Sequence, residues 1–78
     1  MQIQAEMTDT FGGEANYSWV NRQRLTVKDG ATDRQIVIAA KKALGITGVK
    51  AYKDWDIGDE QRYSISGACV CFFVSIVY

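Results

Sequence analysis

The fold of this chain is decided by residues 31–48, ATDRQIVIAAKKALGITG, which carry the signals of an amphipathic helix at both ends. Thr32 is suited to cap the first turn, and Gln35 three residues later completes a capping box. Two lysines lie near the carboxyl end, where the helix dipole favours positive charge. Gly45 can adopt the left-handed conformation that ends many helices. The sequence therefore predicts one helix in this stretch.

One face of the predicted helix is apolar and carries small side chains at its centre. Small residues allow a helix to lie close to a sheet, so this face is expected to be buried. The residues at helical spacing on it are Ile36, Val37, Ala40, Ala43 and Leu44.

The chain before the helix alternates between polar and apolar residues, as β-strands do. Residues 2–7 and 17–27 show this pattern, and the intervening residues 8–16, TDTFGGEAN, are rich in turn formers and predict a loop. The second strand is apolar at both ends and polar in the middle, which predicts a bulge near residues 21–23. The two strands are expected to pair as an antiparallel hairpin.

Three further strands are predicted after the helix, at residues 49–55, 62–66 and 69–78. The last is apolar on both faces, which is typical of a central strand, although an edge strand that pairs with a second copy remains an alternative. We predict a single α+β domain, residues 1–78, in the order β-β-α-β-β-β. Its antiparallel sheet has four or five strands with one helix packed on one face. One helix leaves the other face to solvent, a partner or a second copy.

The composition limits the function classes. The 78 residues contain nine Lys and Arg against nine Asp and Glu, so no net field attracts nucleic acid or an acidic membrane. Residues 1–7 do not resemble a signal peptide, and the longest apolar run, 68–74, is too short to span a bilayer. Cys69 and Cys71 lie two apart in a predicted strand, where free, buried thiols in a reducing cytoplasm are expected.

No motif in the chain predicts catalysis. There is no histidine, the commonest general base and metal ligand. Gly12 and Gly13 could present backbone amides to a phosphate, but the lysine and hydroxyl residue of a phosphate-binding loop are missing. Residues 54–60, DWDIGDE, lack the twelve-residue pattern of a calcium loop. We therefore predict a protein that is not an enzyme, with no catalytic residues, cofactor or metal site.

Arginines beside aromatic residues suggest a binding surface instead. This mixture is enriched in protein interfaces and in surfaces that bind single-stranded nucleic acid, and zero net charge favours the former. A solvated helix face combined with core aromatics would account for the same residues without any partner. The predicted partner-binding residues are Phe11, Glu14, Tyr17, Trp19, Arg22, Arg24, Arg34, Ile38, Lys41 and Lys42.

Two segments carry a resemblance to a known group of proteins: FGGEANYSWVNR, residues 11–22, and AAKKALGITGVK, residues 39–50. The chain resembles small proteins encoded by bacteriophages and prophages, in which a GEANYSW-like segment precedes a short helix that ends in a G-(hydrophobic)-T-G turn. The likeness extends from Met1 to about Lys50 and, more loosely, over the last strand.

The resemblance implies a non-enzymatic inhibitor similar to anti-CRISPR proteins. Such a protein would act in the bacterial cytoplasm by occluding a surface of a host protein complex, a CRISPR surveillance complex being the suspected partner. The neutral charge differs from acidic, DNA-mimicking inhibitors, so contacts with a protein subunit are expected. The resemblance assigns no individual residue. A small nucleic-acid-binding module and a self-associating phage structural or accessory protein, such as a homodimer, remain alternatives.

Overall fold

The computed structural model describes all residues from Met1 to Tyr78. It confirms the predicted α+β class and the β-β-α-β-β-β order of elements. The elements are β1 (Gln2–Phe11), β2 (Glu14–Thr26), α1 (Asp33–Leu44), β3 (Ala51–Asp56), β4 (Glu60–Ile65) and β5 (Val70–Val77).

All five strands form one antiparallel sheet in the order β2-β1-β5-β4-β3. The last strand, β5, is central, with β1 on one side and β4 on the other. Of the two positions that the sequence left open for this strand, the central one is confirmed. The edge alternative is wrong, because both hydrogen-bonding edges of β5 are already occupied. A second copy can pair only with β2 or β3, the edges of the sheet.

The helix forms with the predicted caps. The Thr32 hydroxyl accepts a hydrogen bond from the Gln35 amide at 3.2 Å, and the Gln35 side chain accepts one from the Thr32 amide at 3.0 Å. Gly45 ends the helix with φ = 78°. These contacts satisfy backbone groups that a helix end otherwise leaves without partners.

The buried stripe of the helix is narrower than predicted. Ile36, Ala40 and Leu44 are buried and Val37 is half-buried, but Ala43 is exposed. Val37 and Ala43 lie about 60° from Ala40 on opposite sides of the helix. Only the Val37 side packs against the core, so the prediction for Ala43 was wrong.

The core lies between α1 and the sheet. Phe72 on β5 has no exposed surface, and its ring stacks on Tyr63 of β4 with 5.0 Å between centroids. Ile3 and Ala5 on β1 are also fully buried. Strand alternation places Phe73, Cys71 and the other intervening residues on the opposite face of the sheet, which has no helix.

The β1–β2 hairpin is longer than predicted. Residues 8–16 are not a loop: both strands continue until only Gly12 and Gly13 form the turn, with Phe11 paired to Glu14. Both glycines have positive φ, 62° and 85°, as a two-residue type I′ hairpin turn requires. The turn propensity that suggested a long loop is satisfied by two residues.

The predicted bulge near residues 21–23 is also misplaced. Pairing is regular from Gln2 opposite Thr26 to Thr8 opposite Val20, and the next pair is Thr10 opposite Ala15. Over this step β1 advances by two residues and β2 by five. Residues 16–19 of β2 therefore lie opposite the single β1 residue Asp9, an excess of three residues that bends the hairpin.

Candidate functional site

The distal part of the β1–β2 hairpin, residues 9–19, is called the arm below. It folds back across the sheet face opposite α1. Arg62 on β4 donates a hydrogen bond from Nη2 to the Gly13 carbonyl at 2.7 Å. Arg62 and Glu6 both pair with Phe73, so the three lie in one row across the sheet. A straight hairpin would carry its turn about 16 Å beyond Glu6, so only a bent arm brings Gly13 to Arg62.

The arm explains why two residues on this face are fully buried. Thr8 and Cys71 pair with each other across β1 and β5, and neither has any exposed surface although no helix covers them. Tyr17 of the arm lies over the same region, where its amide donates to the Thr8 hydroxyl at 3.0 Å. Partial desolvation, and after it the negative charge of Glu6, raises the pKa of its phenol. The arm therefore acts as a partial cover for this face.

Thr8 holds the bulge in place. Its hydroxyl accepts a hydrogen bond from the Tyr17 amide at 3.0 Å and donates one to the Trp19 carbonyl at 2.8 Å. Tyr17 has φ = 57°, and it is the only residue other than glycine with positive φ in the chain. That conformation is unfavourable for a bulky L-residue, so surrounding contacts must impose it. The two bonds of Thr8 supply them.

Asp9 fixes the same bulge from its outer side. Its Oδ1 accepts from the Ser18 amide at 3.0 Å, and its Oδ2 accepts from the Asn16 side-chain amide at 2.9 Å. Donors from Ser18, then Asn16, stabilise the ionised carboxylate and hold the pKa of Asp9 well below its ordinary value of 3.8. The arm is thus ordered by polar contacts rather than by burial.

The lowered pKa of Asp9 predicts a pH dependence of arm order. A group whose pKa falls on folding stabilises the folded state above its unfolded pKa, 3.8, and loses that contribution as pH falls through the folded pKa. We expect the Asp9 carboxyl to titrate well below 3.8 in a carbon-detected NMR titration. In Asn16→Ala, which lacks one donor, the midpoint should move toward the ordinary value. A midpoint at or above the ordinary value in the unsubstituted protein would contradict these contacts.

The structure divides the predicted partner-binding residues between two surfaces on opposite sides of the sheet. The first surface belongs to the β1–β2 hairpin, where the side chain of Phe11 at the turn is 80% exposed. The second is the outer face of α1. The hairpin carries Phe11, Glu14, Tyr17, Trp19, Arg22 and Arg24, and the helix carries Arg34, Ile38, Lys41 and Lys42, all at least partly exposed.

Charges on the helix-free face are mostly paired. Arg22 Nε lies 2.6 Å from Glu6 Oε2, and Arg62 Nε lies 3.2 Å from Asp54 Oδ2. The Nε–H group of Arg62 makes no hydrogen bond of good geometry. The Arg62 side chain is therefore held chiefly by its hydrogen bond to the Gly13 carbonyl and by the charge of Asp54. Arg24 forms no ion pair and donates to the Gln4 side chain at 3.3 Å. This pairing leaves little net charge to attract a polyanion.

Aromatic residues that were not predicted as binding residues share this face. The rings of Trp55 and Phe73 lie 6.1 Å apart in a tilted arrangement, and Tyr52 is 59% exposed nearby on the edge strand β3. The apolar character of both faces of β5 was a signal for Phe73. The position of Trp55 depends on a shift in register between Lys53 and Trp55, which local alternation does not reveal.

The remaining reactive groups are occupied or shielded. Asp56 accepts hydrogen bonds from Gly58, Lys53 and Gln61, and these donors lower its pKa. No group of three or more His, Cys, Asp or Glu side chains is placed to hold a metal ion. Both cysteines are free, and burial raises the pKa of the Cys71 thiol. The prediction that Cys69 is buried was wrong, because it precedes β5 in the exposed β4–β5 connection.

No family model matches the chain, and neither a curated protein nor a solved structure is similar enough to count as a match. The single helix is too short and too polar to cross a bilayer. The fold and the site together define the class: a one-sheet α+β protein with a bent aromatic arm.

Proposed function

We propose that this protein is a non-enzymatic binding protein that inhibits a larger protein complex by occluding part of its surface, with the arm as the principal contact. One observation carries the proposal: the arm is ordered by hydrogen bonds in which Thr8 and Arg62 donate and Asp9 accepts, yet Phe11 at its turn is 80% exposed. An apolar ring held in water adds nothing to folding, whereas a preorganised aromatic side chain lowers the entropy cost of binding.

The partner that we propose is a protein subunit of a bacterial host defence complex, with a CRISPR surveillance complex as the first candidate. Binding would take place in the cytoplasm. The resemblance to phage-encoded inhibitors supplies this partner class. The ion pairs Arg22–Glu6 and Arg62–Asp54 support a protein rather than a nucleic acid, because they leave few free cations on the face. Tyr17 and Trp19, which are 52% and 43% exposed on the arm, belong to the residue types that often dominate protein interfaces.

The proposal is tested with the double substitution Phe11→Ala and Trp19→Ala. Cells with active CRISPR interference against a plasmid should retain the plasmid when they express the natural sequence and lose it when they express the double variant. A tagged protein should capture a surveillance-complex subunit from nuclease-treated lysate, and the double variant should bind that purified complex at least about 100-fold more weakly.

The matched control is Tyr78→Ala, which removes an aromatic ring that is 94% exposed but lies outside the arm. It should inhibit as well as the natural sequence does. A folded double variant that inhibits equally well would rule out the arm as the contact. Absence of protection by every variant, with capture only of further copies of the chain, would replace inhibition by self-association.

A further inference from the structure

A groove on the other side of the sheet runs between α1 and the edge strand β3. The helix packs mainly over β1 and β2, so the β4–β3 half of this face has no helix above it. Two adjoining depressions of about 390 and 420 Å³ occupy that space, and both are bounded by Ile38 and Lys41. Neither depression touches the arm, which lies on the opposite face.

The groove has an apolar floor. Tyr63 forms its base, and Val37 and Ile38 on α1 form one wall. Val49 and Ala51 line the end near the carboxyl terminus of the helix. Ile38 is 55% exposed, so its side chain contributes apolar surface that folding alone does not bury.

The rim of the groove is positively charged although the whole chain is neutral. Arg34, Lys41 and Lys50 line the depressions and form no ion pair within the chain. Lys53, the fourth cation, is already paired, with Asp56 at 3.0 Å and Asp33 at 3.7 Å. Three uncompensated cations around an apolar floor are complementary to a ligand that is both acidic and apolar.

The edge of β3 adds a third element of recognition. Because β3 pairs only with β4, its outer backbone N–H and C=O groups have no strand partner. An extended peptide can bond to such groups and place alternate side chains on the two faces of the sheet. The groove follows α1 from Asp33 to Thr47, about 20 Å, which corresponds to roughly six extended residues.

We propose that this groove binds an acidic, extended peptide segment of a partner protein, with apolar side chains against Tyr63 and Ile38 and carboxylates at Arg34, Lys41 and Lys50. A second copy of this chain does not supply the ligand. Its acidic stretch, residues 54–60, is folded into β3, β4 and their connection, and the outer face of α1 is itself basic. The groove is separate from the arm and would bind by a different chemistry, with cations around an apolar floor instead of exposed aromatic rings.

The test is an NMR titration of the isotope-labelled protein with a capped synthetic peptide of four Glu-Leu repeats. Backbone amide shifts are expected at residues 38–41 and 49–53, saturating below about 1 mM peptide. A capped peptide of four Lys-Leu repeats, with the same apolar content, should cause no such shifts. The substitution Lys41→Glu should weaken binding by about tenfold, because one attraction becomes a repulsion.

The matched control is Lys28→Glu, which makes the same change on an exposed residue outside the groove. It should leave peptide binding within about twofold of the natural sequence. Equal binding of both peptides, or equal effects of the two substitutions, would overturn the proposal. Tighter binding of an eight-nucleotide oligothymidylate at the same amides would overturn it in favour of single-stranded nucleic acid. The double variant of Phe11 and Trp19 should retain peptide binding, so a failure of the arm proposal is distinguishable from a failure here.

Discussion

Replacing Phe72 with alanine is expected to unfold most of the protein at room temperature. Phe72 is fully buried at the centre of β5, the central strand, and stacks on Tyr63. Truncation of a buried phenylalanine costs about 3–5 kcal/mol, from lost transfer energy and from the cavity left behind. A single core of this size rarely supplies more than about 3–5 kcal/mol of net stability. The loss is therefore comparable with the whole free energy of unfolding.

Circular dichroism during urea unfolding measures this effect. Phe11→Ala is the control, because it removes the same ring from a site that is 80% exposed, and it should change stability by less than about 0.5 kcal/mol. Phe72→Leu keeps most of the volume and should remain folded with a loss of about 1–2 kcal/mol. A Phe72→Ala variant as stable as Phe11→Ala would mean that the core is not centred on β5.

Replacing Thr8 with valine is expected to cost about 2–3 kcal/mol, although the two side chains have nearly the same shape. Thr8 has no exposed surface, and its hydroxyl is the partner of both the Tyr17 amide and the Trp19 carbonyl. Valine leaves these backbone groups without their partner and removes the contacts that hold Tyr17 in its left-handed conformation. The arm should then lose its bend more readily than the sheet loses its pairing.

Two measurements separate these effects. The urea midpoint reports the global loss, and hydrogen exchange at the Tyr17 and Ser18 amides reports the local opening of the arm. Thr10→Val is the matched control, since the Thr10 side chain makes no hydrogen bond within the chain and is partly exposed. Exchange at Tyr17 that is equally slow in both variants would show that Thr8 does not hold the bulge.

Several features of the fold followed from short stretches of sequence. Thr32, Gln35 and Gly45 specify the ends of α1 through contacts within four residues, and the structure contains all of them. Alternation predicted the strands, and the apolar character of both faces of β5 predicted its central position as one of two alternatives. These predictions held because each depends on the local periodicity of side chains.

The errors came from residues whose positions depend on distant partners. The bulge was expected at residues 21–23 because polar residues interrupt the apolar pattern there, but Asn21 lies on the helix side and donates to the Leu44 carbonyl at 3.3 Å. The bend lies instead where Thr8 and Asp9 can bond to residues 16–18. For the candidate site, composition predicted aromatic and basic residues as contacts, but it did not divide them between two faces.

The sequence by itself determined the helix with its caps, the alternating strand pattern and the neutral balance of charge. These depend on intrinsic backbone preferences and on neighbours within a few residues. Only the tertiary structure decided the strand order, the bending of the arm onto Arg62 and the groove between α1 and β3. Each of these features joins residues far apart in the chain, as Gly13 and Arg62 are. Such contacts stabilise the protein only after the sheet has assembled.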